Sequence, residues 1–289
     1  SGLTSPSGDY RWMDAADQLY SSTYSSSYNY TQASATATFS DAANVFSGNL
    51  AVSNLKPNFA YQIKLVGDPV KDPQANENIG LTGRWWREEW NGSAWVNGQN
   101  SNDANYNANK NTEDASSPTG YKYKYTGYLL FDYFISAEDG GAEYFFEQDS
   151  SYHVLWKTSQ RSPHTQDGPV HTATFDADDS TAYSDTGTED WIEQTVSVYG
   201  EVERTPVGGL YLPEGEYTAD LVLTEESFHG SGDDAYDGNW AAAMGGEVNF
   251  TVTAVPLPGT GLFFAFGVIG LFAVKRSDQR QLKLPANDN

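Results

Sequence analysis

The sequence predicts an all-β protein, an antiparallel β-sandwich with long loops, followed by one C-terminal transmembrane helix. Three observations carry this. Aromatic residues make up 14% of the 289 positions, 19 of them tyrosines, and with the β-branched residues they recur in short clusters between Gly, Asn, Asp and Pro. Apolar repeats at helical spacing are scarce, while about ten short runs carry strand character. Finally, one uncharged apolar run, Gly259 to Val274, interrupts an otherwise hydrophilic chain.

Residues 1–40 form a Tyr- and Ser-rich segment. Tyr20, Tyr24, Tyr28 and Tyr30 fall on even positions, and Ala33, Ala35, Ala37 and Phe39 on odd ones. An extended chain places the tyrosines on one face and the alanines on the other. The segment is therefore expected to be a terminal strand, either a half-exposed edge or one that adds to a neighbouring subunit and drives self-assembly into fibres or arrays. Strand-like runs are expected at about 32–39, 48–55, 59–66, 128–136, 143–147, 152–157, 170–175, 195–199, 217–224 and 247–255. Residues 41–254 then form an acidic ectodomain. Its stretch 91–120 holds eight Asn and few aliphatic side chains, which predicts a long surface loop or insertion.

Leu55, Pro57 and Tyr61 in "NLKPNFAYQIKLV" fit an L-x-P-x-x-x-Y spacing, in which a strand ends, Pro stiffens the crossing and Tyr opens the next strand. This resembles the tyrosine corner of immunoglobulin and fibronectin type III sandwiches. A looser version, "YLPEGEYTADLVL", runs from Tyr211 to Leu223. The resemblance implies an Ig/fibronectin-like fold and assigns no ligand site.

Two groups of residues are candidates for binding. Trp85, Trp86, Trp90 and Trp95 cluster in "GRWWREEWNGSAW" beside Arg84, Arg87, Glu88 and Glu89. Indoles stack on the apolar faces of sugar rings while charged groups meet the hydroxyls, so the cluster is a candidate carbohydrate site; the plainer reading is core and loop cover. Two acidic loops, with Asp176, Asp178 and Asp179 in one and Asp233, Asp234 and Asp237 in the other, offer oxygen ligands to calcium without EF-hand spacing. Merely solvated loops read the same way.

No catalytic pattern stands out. The chain has no cysteine, which excludes thiolate chemistry, disulfides and Cys-bound metals. His153, His164, His171 and His229 are scattered, and neither a G-x-S-x-G elbow nor a phosphate loop occurs. Glu88 with Glu89 and Glu225 with Glu226 are adjacent acids, which point to opposite faces of a strand and cannot form a glycosidase pair with each other. The expectation is a non-enzymatic protein. Beyond Val274 the chain carries four basic and two acidic residues, a net of +2, and the rest carries 12 basic and 37 acidic, a net of −25. An acidic body of this kind argues against nucleic acid as a partner. The opening residues, "SGLTSPSGDY", have no signal-peptide character, so an exported protein is expected to appear here in mature form.

The tail, 255–289, combines three parts. Val255, Pro256, Leu257 and Pro258 precede the apolar run, and Lys275, Arg276 and Arg280 follow it. Sixteen helical residues span about 24 Å, short of a roughly 30 Å hydrocarbon core, a mismatch that bilayer thinning and the uncharged flank accommodate. The basic residues place the C-terminus in the cytoplasm. This order of parts resembles the PEP-CTERM sorting signal of Gram-negative bacteria in its VPLP variant. The resemblance implies a surface protein whose tail an exosortase, a membrane cysteine peptidase, recognises at Pro256 to Pro258 and cuts nearby, often in bacteria that make exopolysaccharide. The leading expectation is thus a surface, biofilm-matrix or fibre protein. A carbohydrate-binding or carbohydrate-active domain comes second, and an accessory subunit of a membrane complex that keeps its helix third.

Overall fold

A computed structural model describes residues 2–3, 12, 14–15, 18–149, 154–157, 166–175, 180–183, 194–202, 211–225 and 241–254. They form an all-β protein with three short helices. The chain divides into a unit from Ser1 to Thr253 and a second from Ala254 to Asn289. Every element below belongs to the first.

A four-stranded sheet has the order β1-β2-β4-β9, comprising β1 (Gly2–Leu3), β2 (Ser34–Phe39), β4 (Ser47–Ser53) and β9 (Ala142–Glu147). A seven-stranded sheet has the order β3-β14-β13-β5-β8-β6-β7. Its strands are β3 (Ala42–Ala43), β5 (Ala60–Gly67), β6 (Arg84–Trp90), β7 (Trp95–Ser101), β8 (Tyr123–Ile135), β13 (Gly215–Glu225) and β14 (Ala241–Val252). All its pairs are antiparallel except β3 with β14. A third sheet, β10-β12-β11, consists of β10 (Val154–Lys157), β11 (Gln166–Phe175) and β12 (Gln194–Val202). Each of the ten expected strands has a counterpart.

Period-two burial builds one core from the two larger sheets. Ala35, Ala37, Leu50, Val52 and Phe146 come from the first sheet, and Ile63, Leu65, Leu129, Phe131, Leu221, Leu223, Val248 and Phe250 from the second. Phe46 joins them, its ring stacked 4.1 Å from Phe250 and edge-on to Phe131 at 6.1 Å. Such interlayer aromatics bury more area per residue than any aliphatic choice.

The spacing at Leu55, Pro57 and Tyr61 makes the contact it predicts. β4 ends in the first sheet, β5 begins in the second, and the Tyr61 hydroxyl accepts the Lys56 N–H at 3.0 Å. Asn54 and Asn58 take the left-handed conformation, φ 54° and 57°, that lets the chain turn so tightly. In the looser copy, the Tyr217 hydroxyl donates to the Pro213 carbonyl at 2.7 Å. Burial pushes the Tyr217 phenol up to about 12.

Two expectations change, and one helix is new. The alanine half of the N-terminal segment is the strand β2, with Ala35 and Ala37 buried, but the tyrosine half is not: α1 (Ser22–Ser27) is helical, with Ser21 accepting the Tyr24 N–H at 3.0 Å as its cap. Tyrosines four apart satisfy the period of a strand and nearly that of a helix, and the tilted rings of Tyr20, Tyr24 and Tyr28 follow one another across the helix turn and its two ends, with centroids 5.2 Å apart. Tyr20 and Tyr30 are buried, and β2 is paired on both sides, by β1 and β4. Residues 91–120 are likewise not one loop. They hold β7 and α3 (Asp103–Asn109), and their asparagines work as caps: Asn102 accepts the Asn105 N–H, and Asn91 accepts those of Ser93 and Ala94. A helix absent from expectation, α2 (Pro73–Thr82), packs across β8 and β5, opened by Asp72 accepting the Ala75 N–H, with Pro73 in its first turn. Among the described residues no helix is long and apolar enough to cross a membrane; residues 255–289, including the expected transmembrane helix, lie outside them.

The two corners give unequal predictions. Tyr61→Phe removes the acceptor of a fully buried N–H and is expected to cost about 1–3 kcal/mol, whereas Tyr217→Phe breaks part-buried bonds to the Pro213 carbonyl and the Asn78 amide, whose groups water can reach, and should cost about 0.5–1.5 kcal/mol. Urea-unfolding midpoints of the two variants check the order.

Candidate functional site

Alternation along β6 sorts the tryptophans. Trp85, Arg87 and Glu89 face one side, and Trp86, Glu88 and Trp90 the other. Trp85 is fully buried, stacked on Tyr106 of α3 at 3.7 Å, its Nε1 donating to Asp103 Oδ1 at 2.9 Å. Gly80 of α2 gives it room, since a Cβ there would come within 2.4 Å of the indole. Trp85 is therefore core and leaves the expected binding set.

The remaining three share the opposite face. Trp90 and Trp95 are direct partners across the β6–β7 ladder, with ring centroids 5.3 Å apart. Trp86 lies against Gly98, where a Cβ would approach its ring to 2.6 Å. Next to Gly98, Asn97 at φ 55° lies where the β6–β7 register shifts. Glu88 pairs with Lys124, whose Nζ lies 5.6 Å from the Trp95 centroid. All three tryptophans are half-buried, and Trp90 Nε1 has no acceptor among the described residues. The result is a strip of apolar rings flanked by an ion pair, able to stack on C–H faces and exchange hydrogen bonds with hydroxyls. Glu89 points the other way and pairs with Lys122 at 3.0 Å, so the adjacent acids Glu88 and Glu89 serve separate lysines.

A second, buried centre surrounds the first corner. Lys56 and Glu225 are 0% and 1% exposed, with Nζ 2.7 Å from Oε1. Tyr30 donates to the same Oε1 and sits 2.9 Å from the Tyr61 hydroxyl. The Trp12, Phe59 and Tyr30 rings surround the ammonium at 4.2, 5.2 and 5.7 Å. Neighbouring peptide groups are also satisfied. The Lys56 carbonyl accepts from Ser136 Oγ, the Pro57 carbonyl from the Tyr20 hydroxyl and the Asn58 carbonyl from the Ala15 N–H. Tyr183, stacked on Tyr20 at 5.3 Å, donates to Asp14 at 2.6 Å. None of this was foreseen beyond Leu55, Pro57 and Tyr61. A cleft of about 320 Å³ beside the corner is lined by Tyr24, Tyr28, Asn54, Glu138 and Asp139 among others.

The other candidate residues are not tested by this geometry. Asp176, Asp178, Asp179, Asp233, Asp234 and Asp237, proposed for calcium, lie outside the described residues, as do Val255, Pro256, Leu257, Pro258, Lys275, Arg276 and Arg280. Among the described residues no three His, Asp or Glu side chains gather as a metal would need.

Burial holds the phenols of Tyr20, Tyr30, Tyr61 and Tyr183 well above their ordinary value, with the Glu225 charge adding to the effect at Tyr30 and Tyr61 and that of Asp14 at Tyr20 and Tyr183. A raised phenol leaves stability untouched while folded and unfolded chains are both neutral. Above about pH 10 the unfolded chain ionises and the folded one does not, so stability falls as pH rises. Urea midpoints should be level in this respect to about pH 9 and then drop. Tyrosinate absorbance from the buried set should appear with unfolding and not before it.

Comparison of the chain with family models, with curated proteins and with solved structures gives no match.

Proposed function

We propose that the chain is a non-enzymatic surface or extracellular-matrix protein, delivered by a C-terminal sorting and anchoring segment. The observation that carries this is the order of parts in the tail: Val-Pro-Leu-Pro, a charge-free apolar run, then Lys275 and Arg276. A helix over that run would hold the acidic body outside and the basic end inside. Pro256 to Pro258 then act as recognition residues for an exosortase-type peptidase and not as catalytic groups. A net charge near −25 before Lys275 keeps such a body soluble and repels polyanions. In this reading the body is an Ig/fibronectin-like sandwich, supported by its two corner hydrogen bonds.

The Trp86, Trp90 and Trp95 strip favours a second reading, in which the body binds exopolysaccharide. Three half-buried rings on one face of the β6–β7 hairpin, with the Glu88–Lys124 pair among them, match the mixed apolar and polar demand of a pyranose chain. The two readings are compatible, since a matrix protein needs something to hold.

Intact-mass measurement of the protein from its own cells tests the first. A species ending near Pro258 is expected; one retaining the tail through Asn289 contradicts peptidase removal and points to a membrane-complex subunit that keeps its helix. Filaments in electron micrographs would support a fibre role. For the second, Trp86→Ala and Trp90→Ala should each weaken polysaccharide pull-down by roughly 10-fold, at about 1–3 kcal/mol per stacked ring lost. Trp85→Ala should instead lower the unfolding midpoint. Equal retention by wild type and both surface variants overturns the glycan reading.

A further inference from the structure

We propose that Lys56 and Glu225 condense to an intramolecular amide, Nζ to Cδ, giving this cysteine-free chain a covalent tie between its first corner and the end of β13. Four features support it. Both side chains are enclosed, at 0% and 1% exposure, and Nζ already lies 2.7 Å from Oε1. The walls include the rings of Trp12, Phe59 and Tyr30, which shut water out of the pair. Tyr30 donates to the same carboxylate oxygen, and the Tyr61 hydroxyl lies 2.9 Å behind it, holding that donor in place. The chain has no disulfide to do this work.

The chemistry balances without an external reagent. An ammonium and a carboxylate in hydrogen-bond contact exchange one proton, becoming an amine and a carboxylic acid, a step that a dry enclosure favours because it removes two buried charges. The Nζ lone pair attacks Cδ, and Tyr30 stabilises the developing charge on Oε1. The amine gives up a second proton to the other, hydroxyl oxygen of the same carboxyl, and the C–O bond to that oxygen breaks. One N–C bond forms, one C–O bond breaks, one water leaves, and nothing is oxidised or reduced. The apolar walls then keep water from reversing the step.

Four other Lys–Glu pairs provide internal controls. Lys71–Glu247, Lys110–Glu77, Lys122–Glu89 and Lys124–Glu88 all retain solvent access, from 23% to 51%. They should remain ordinary ion pairs.

The test is denaturing mass spectrometry of the full chain with proteolytic mapping. The expected result is a mass lower than the sequence by one water, with a branched peptide joining the Lys56 and Glu225 segments and linear peptides at the four control pairs. Lys56→Arg should restore the sequence mass and Lys71→Arg should leave the deficit in place. Tyr30→Phe should slow bond formation by roughly 100-fold, the size of a lost donor to a developing oxyanion. Linear peptides carrying unmodified Lys56 and Glu225 in the wild type, or a deficit that persists in Lys56→Arg, would overturn the proposal. The wild-type map decides even where a variant fails to fold, and tail removal cannot imitate it because the branch is located by its peptides.

Discussion

Between β4 and β5 the chain leaves one sheet for the other, carrying the peptide groups of residues 55–59 beneath the surface, where each must find a partner inside the protein. The partners are distributed along the chain. Leu55 N–H reaches the Gly140 carbonyl and Lys56 N–H the Tyr61 hydroxyl; Phe59 N–H goes to Ser136 Oγ, and Asn58 N–H to the Ala137 carbonyl. The carbonyls draw on Ser136, Tyr20 and Ala15. The N-terminal tyrosines are therefore the cover of the corner, and the 136–141 connection is its other wall. The Lys56 side chain meets Glu225, the last residue of β13, so the same few residues fix the N-terminal segment, the crossing and a central strand of the larger sheet.

Much of this was legible in the sequence where a single local rule decides the outcome. Strand alternation located ten strands, and the L-x-P-x-x-x-Y spacing identified a corner whose hydrogen bond is present. Where two rules agree on the residues and disagree on the structure, sequence reasoning went astray: Tyr20, Tyr24 and Tyr28 are evenly spaced for a strand and equally suited to an i, i+4 ladder, and the Ser21 cap tips the balance. Composition misled at 91–120, because asparagine suits both loops and the caps that begin short helices and turns. The Asp72-Pro73 start of α2 was visible and went unread because the helix carries little apolar periodicity. The contact of Lys56 with Glu225 had no sequence signal at all, being set by which strands become neighbours.

The tryptophan cluster shows how fold refines a candidate site. Four indoles read as one platform in sequence, and the pleat divides them: Trp85 is committed to α3 and Asp103, while Trp86, Trp90 and Trp95 line the other face with the Glu88–Lys124 pair. The buried centre and this strip make different demands. One depends on excluding water completely, the other on admitting a wet and flexible ligand, and the molecule keeps them on separate elements, β5 with β13 and β6 with β7.

Native-state hydrogen exchange at the corner tests the central claim most directly, because a crossing held from so many sides can open only when the whole core does. The amides of Leu55, Lys56 and Phe59 should exchange with the same opening free energy as those of Ile63 and Leu65 inside β5. Faster exchange at the corner, through a local opening that leaves β5 protected, would contradict the claim that the rest of the structure depends on it.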